Sequence, residues 1–143
     1  MATLELSIVT PQKEAFAAEV SAVYVSTPSG EIGILPHHIP LVTALVEGEI
    51  KVIANGKESY FAIGGGFMQV TKKKVIILVS RAVHADELNE AEIKKAEDAA
   101  KQAIKQKGVG VERAEAQAML KRSFLDMKVL RHRKRRTGGA DTL

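Results

Sequence analysis

A chain of 143 residues holds one ordinary domain, or a small domain with an appendage, and its 45% apolar content supports a packed core. The absence of cysteine excludes disulfides, thiol catalysis and Cys-based zinc sites, and fits a reducing compartment. No apolar run reaches the ~18 residues of a membrane span, and the start Met1-Ala2-Thr3-Leu4-Glu5 has neither the basic nor the apolar part of a signal peptide. The expectation is a soluble protein that meets a membrane only through a partner.

Residues 1–84 read as strands. Leu4, Leu6 and Ile8 alternate with Thr3, Glu5 and Ser7, the period of a half-buried strand. Residues 20–27 are rich in β-branched side chains, and Pro28-Ser29-Gly30 breaks the run. Residues 50–53 and 60–63 flank Asn55-Gly56, a strong hairpin signal because both residues tolerate positive φ. Residues 67–71 and 75–79 predict a second hairpin around Lys72-Lys73-Lys74. Short strands at this spacing point to a β-sandwich or a flattened barrel.

The period changes after Val83. Asn89 is an expected N-cap, Leu88 a candidate staple, and Glu90 and Glu92 favour the first turn of a helix. Ala96, Ala99, Ala100 and Ala103 form a small-residue stripe between Ile93 and Ile104, and Gly108-Val109-Gly110 stops the helix. A second helix is predicted from about 112. Ala114, Ala118, Leu125 and Val129 lie near one face, with Ala116, Leu120, Phe124, Met127 and Leu130 beside them. So short a connection predicts an antiparallel hairpin, and its alanines bury little area, so it is weakly held and able to detach. The whole reads as an α+β chain: a flattened antiparallel β-sandwich or barrel over 1–84, a C-terminal antiparallel helical hairpin over 85–136, and a disordered tail over 137–143.

The net charge of +4 is uneven. Residues 1–84 carry 7 basic and 7 acidic groups, residues 85–108 carry 5 and 6, and residues 109–143 carry 9 and 4. A basic end predicts an acidic partner: nucleic acid, an anionic membrane or an acidic protein surface. The run from Arg131 to Arg136 can neutralise phosphates, yet it has no aromatics for base stacking and sits where a helix dipole favours cations. A small nucleic-acid-binding protein with a basic helical tail is therefore one functional reading, and the even charge of residues 1–84 weighs against it.

Other chemistry finds little support. His37-His38 are adjacent on an extended segment and point to opposite faces, so no metal site is expected. Gly64-Gly65-Gly66 lacks the Gly-Lys-Ser/Thr ending of a phosphate loop and precedes a strand, so a kink or bulge is expected instead. No nucleophile–base set or carboxylate pair can be assembled, and no catalytic residue is expected.

The segment 25–45, VSTPSGEIGILPHHIPLVTAL, resembles the epsilon subunits of bacterial-type rotary ATP synthases. The family pattern is a Gly-Glu-hydrophobic-Gly loop leading to Pro, then a small residue, His, a small residue and Pro-Leu. It is matched here by Gly30-Glu31-Ile32-Gly33-Ile34-Leu35-Pro36-His37-His38-Ile39-Pro40-Leu41, with His37 and Ile39 in place of the usual Gly and Ala. Gly48-Glu49-Ile50, the stretch from Ile63 through the three glycines to Val70, and residues 75–83 as one closing strand agree in order and spacing.

The resemblance implies a non-catalytic central-stalk rotor subunit of the proton-translocating enzyme, on the cytoplasmic face of the plasma membrane. Its sandwich would join the gamma subunit to the c-ring through Glu31, Gly33, Ile34, Leu35, Pro36, His38, Pro40 and Leu41. Its hairpin, when extended into the catalytic alpha/beta head, would restrain ATP hydrolysis, with Lys121, Arg122, Lys128 and Arg131 as candidate contacts. Some members bind ATP through Ile/Leu-Asp-x-x-Arg-Ala at the start of the first helix. The matching Leu88-Asn89-Glu90-Ala91-Glu92-Ile93 replaces the Asp, the Arg and the Ala, so no cofactor is expected and regulatory ATP binding is not expected to survive.

Overall fold

The period-two pattern at the start becomes β1 (Leu4–Val9), with Leu4, Leu6 and Ile8 buried. The structure, a computed structural model, describes residues 2–106 and 111–141, with side chains at 2–105 and 113–133. The chain divides into two compact units, Met1–His84 and Ala85–Leu143.

The first unit holds ten strands among the described residues. After β1 come β2 (Glu14–Val20), β3 (Ala22–Thr27), β4 (Gly30–Ile34), β5 (Leu41–Leu45) and β6 (Gly48–Ala54). Then follow β7 (Lys57–Ile63), β8 (Gly66–Val70), β9 (Lys74–Val79) and β10 (Ala82–His84). They form a sandwich of two five-stranded sheets, in the orders β2-β1-β9-β8-β5 and β10-β7-β6-β3-β4. Pairing is antiparallel except between β1 and β9, which run parallel. The core lies between the sheets and includes Leu6, Ile8, Val23, Ile50, Phe61, Ile63, Met68 and Ile77. Phe61 sits edge-on to Phe16 at 5.2 Å and to His84 at 4.8 Å between ring centres.

Both expected hairpins form. Asn55 and Gly56 have φ of 53° and 75°, and β6 and β7 close on Ala54 opposite Lys57. β8 and β9 close on Val70 opposite Val75, with the Thr71 N–H donating to the Lys74 carbonyl at 2.8 Å.

Three expectations are corrected here. Residues 20–27 are not one strand, because β2 ends at Val20 and β3 starts at Ala22. Residues 75–83 are not one closing strand: the chain breaks at Ser80-Arg81, and β9 and β10 belong to different sheets. Gly64-Gly65-Gly66 is not a kink inside a strand but part of the corner where the chain passes from one sheet to the other. The Gly64 N–H donates to the Arg81 carbonyl at 2.9 Å, and the Ser80 N–H donates to Gly65 at 3.1 Å. A side chain at Gly64 would collide with Ser80 Oγ, and one at Gly66 with the Leu78 carbonyl oxygen. Only glycine lets the two crossings come this close.

The second unit opens with a 3-10 turn (Ala85–Glu87) and continues as α1 (Glu90–Gln106) and α2 (Val111–Asp141). Asn89 is the N-cap: its Oδ1 accepts from the backbone N–H groups of Ala91 at 2.9 Å and Glu92 at 3.3 Å. Ile93 and Ala100 are buried on α1, while Ala99, expected in the stripe, is exposed. On α2 the buried residues are Ala116, Ser123, Asp126, Val129 and Leu130. Ala114, Ala118 and Phe124, expected on or beside the apolar face, are exposed. The expected stop at Gly108-Val109-Gly110 lies outside the described residues. The tail read as disordered from 137 instead continues α2 as helical backbone to Asp141.

Candidate partner-binding surface

The segment expected to be one loop, 31–41, is three pieces of structure. Residues 30–34 form β4, an edge strand, so Glu31, Gly33 and Ile34 are held in a ladder with Ser26, Tyr24 and Val23. Glu31 is exposed. Gly33 lies under the Tyr24 ring, where an added Cβ would sit 2.8 Å from Cε1. Ile34 is wholly buried in the core, so its side chain cannot be an interface group; strand alternation turns it inward. This corrects its place among the expected contacts.

Residues 35–40 are the true loop, joining the edge of one sheet to β5 at the edge of the other. Leu35 is 54% and Ile39 75% exposed. His37 turns the chain at φ 67°, a left-handed conformation that favours glycine. The His38 N–H closes a turn on the Leu35 carbonyl at 3.2 Å, and its Nδ1–H donates to Ile39 O at 2.7 Å. Pro36 and Pro40 stiffen both ends, and Leu41 begins β5, half-buried against the core.

The apolar surface does not stop at the loop. Val42, next along β5, is 71% exposed, Phe67 on β8 is 63% and Leu78 on β9 is 53%. Phe67 lies opposite Ala44 on one side and Leu78 on the other, and Leu78 lies opposite Val9. Val42 pairs with Gln69 and is thus the diagonal neighbour of Phe67. The strip ends at an apolar cleft of about 430 Å³ lined by Val9, Pro11, Gly65, Gly66, Leu78 and Val79, with Thr10 and Ser80. A run of exposed large apolar groups across three strands marks a docking face.

On α2 the four expected contacts split. Lys121, Lys128 and Arg131 are exposed and share one face with Phe124, which is 52% exposed. Arg122 is exposed but turned about 180° from Arg131 at ~100° per residue. The structure therefore joins three of the four cations around an aromatic ring, over which Lys101 Nζ sits at 5.9 Å. Phe124 also lines a groove of about 510 Å³ between α1 and α2, with Glu90, Lys94, Glu97, Met127, Leu130 and Arg131. Among the described residues no group of three His, Cys, Asp or Glu side chains is placed to hold a metal.

Residues 3–85 match the family described as ATP synthase, Delta/Epsilon chain, beta-sandwich domain. Over 136 residues the chain is 38% identical to the ATP synthase epsilon chain of Xanthomonas oryzae pv. oryzae (strain PXO99A), covering 94% of this chain and 97% of that protein. It belongs to the ATP synthase epsilon chains. The epsilon chain of Desulforamulus reducens is 41% identical over 115 residues, 79% of this chain and 87% of that one. Two solved structures have the same fold. A chain of the Euglena gracilis mitochondrial ATP synthase OSCP/F1/c-ring assembly gives a TM-score of 0.66 at 23% identity, over 92% of this chain and 79% of that one. A chain of the Tetrahymena thermophila mitochondrial ATP synthase central stalk/c-ring gives 0.58 at 18%, over 89% and 96%.

Val42, Phe67 and Leu78 of this epsilon chain lie outside the segment 31–41 expected from the sequence. A signal was present. A strand with water on one face alternates, whereas Val75-Ile76-Ile77-Leu78-Val79 is apolar on both faces. That pattern asks for a cover on the outer side as well as a core on the inner one.

Proposed function

We propose that this epsilon chain is a non-catalytic rotor subunit of a proton-translocating ATP synthase. Its sandwich joins the foot of the gamma stalk to the ring of c subunits, and its helices restrain ATP hydrolysis by reaching the catalytic head. The observation that carries the reading is the set of exposed large apolar groups: Leu35 and Ile39 on the loop, and the strip of Val42, Phe67 and Leu78 across three neighbouring strands. The strip is long enough to grip a protein partner, and the like-folded chains come from central-stalk and c-ring assemblies. In this reading gamma covers the strip and lies beside His38. Glu31, exposed on the edge strand, approaches the polar loops of the ring. Gly33, Leu35, Pro36, Pro40 and Leu41 shape the rim between them.

Lys121, Lys128 and Arg131 offer positive charge to an acidic surface of the head. The chain then sits at the cytoplasmic face of the plasma membrane, held there by its partners. No described helix is long and apolar enough to cross a membrane. Cysteines placed at Glu31 and His38, in a chain with none of its own, should cross-link to a c subunit and to gamma in the intact complex. Failure to trap either, with a salt-dependent shift of nucleic acid instead, would replace this reading by nucleic-acid binding.

A further inference from the structure

The start of the helical unit is acidic and the last described side chains of α2 are basic. Asp86, Glu87, Glu90 and Glu92 lie in the 3-10 turn and the first turn of α1. Lys128, Arg131 and Arg133 lie toward the other end of the unit in sequence. The structure joins the two groups. Arg133 Nη1 donates to Asp86 Oδ1 at 3.4 Å and to the Ala85 carbonyl at 3.5 Å, contacts spanning 47 and 48 residues. Ala85 is buried, whereas the Asp86 side chain is 70% exposed and that of Arg133 37%. One half of this contact is therefore an accessible ion pair, open to competition from salt and from other anions.

We propose that Asp86 and the Ala85 carbonyl form an internal latch for Arg133, which holds the end of α2 in place until an acidic protein surface competes for the same basic end of the helix. The latch needs no partner to operate. Its release by the catalytic head rests on the proposed braking role. Asp86 then stands in for the acidic partner at Arg133, while Lys121, Lys128 and Arg131 stay exposed and able to meet that partner. The closed and open populations are set by this competition, and modest changes in the contact move them.

The test uses the full chain with a single cysteine at Ala100 or Ala116, both buried, and measures the rate of thiol labelling. With fast opening and closing, that rate scales with the open fraction. Arg133→Ala and Asp86→Asn should each raise labelling about two- to fivefold, the range of an exposed ion pair. The exchanged pair Asp86→Arg with Arg133→Asp should restore the ion-pair half alone, because a carboxylate at 133 cannot donate to the Ala85 carbonyl, and should label more slowly than Arg133→Ala. About 1 M salt should raise the parent to the Asp86→Asn rate, since both remove only the ion pair, and leave Arg133→Ala unmoved. Parent-like labelling of Arg133→Ala, or an exchange that fails to restore protection, would overturn the latch. Neither result touches the braking role, which is read separately from ATP hydrolysis by the assembled enzyme.

Discussion

Phe67 is the sharpest single probe of the docking strip. A phenylalanine offers about 150–250 Å² of surface, and Phe67 leaves 63% of its own exposed. Roughly 100–150 Å² therefore awaits a cover, worth about 3 kcal/mol at ~25 cal/mol per Å². Phe67→Ala keeps the backbone and Cβ, so the expected loss is about 2 kcal/mol, close to thirtyfold in Kd for gamma. The same change should cost the isolated fold little. The ring faces outward from β8, beside Ala44 and Leu78, and surface substitutions of this kind stay within ~0.5–1 kcal/mol. Calorimetric titration of the full chain into purified gamma subunit, alongside thermal melts, separates the two effects. Binding within twofold of the parent would refute the assignment of this face to gamma. A thirtyfold loss with an unchanged melt would support it.

Two further outcomes follow from the division of the chain. Truncation after residue 85 removes the helical unit at the boundary between the compact units. It should leave rotor coupling intact while raising ATP hydrolysis by the assembled enzyme, and an unchanged hydrolysis rate would remove the brake. Gly66→Ala drives a Cβ into the Leu78 carbonyl oxygen at the sheet corner. It should cost on the order of 2–3 kcal/mol, or about 10 °C or more in Tm; a parent-like melt by circular dichroism would show that the corner gives way easily.

Much of the fold was legible because its signals are local. Asn55-Gly56 dictates a turn by backbone geometry, Asn89 caps by a side-chain oxygen two and three residues away, and Leu4, Leu6 and Ile8 announce their face by period. What was not legible depends on distant pairing. β2, Glu-Ala-Phe-Ala-Ala-Glu-Val, has no alternation, because an edge strand paired only with β1 needs little of its own. β4 hides behind two glycines that read as loop. The break at Ser80-Arg81 carries neither Gly nor Pro, and only the opposing crossing at Gly64-Gly65 explains it. The strip of Val42, Phe67 and Leu78 is scattered in sequence and gathered by cross-strand register. On α2, helical period misplaced the buried face because Ser123 and Asp126 lie within it and Ala114 and Ala118 do not. The Ser123 hydroxyl is accommodated by donating to the Met119 carbonyl at 3.0 Å.

A nucleotide entering the groove between α1 and α2 would meet residues that argue against it. The stretch Leu88-Asn89-Glu90-Ala91-Glu92-Ile93, aligned with the ATP motif of some relatives, is occupied with other tasks. Asn89 caps the helix, Ile93 is buried, and Glu92 points to solvent where the motif has an arginine. The groove itself presents Glu90 and Glu97 beside Lys94 and Arg131. Lys101 holds Glu97 at 3.0 Å, which blunts that carboxylate, and Glu90 adds a second acidic side chain to the lining. A carboxylate ~4 Å from a phosphate charge costs roughly 4 kcal/mol at an effective dielectric near 20, and about one at full solvent screening. Lys94 and Arg131 offset part of this as single charges. Arg122, the other cation that the second helix could supply, is turned to a different face. The balance for a tetra-anionic ligand in an open groove is weak binding at best. Isothermal titration of the purified chain with Mg-ATP should therefore give no saturable heat in the micromolar range. Glu92→Arg should leave that result unchanged, since position 92 does not line the groove. A one-to-one micromolar isotherm for the parent chain would show that the two cations outweigh the carboxylates, and would make ATP a ligand that clamps the two helices together.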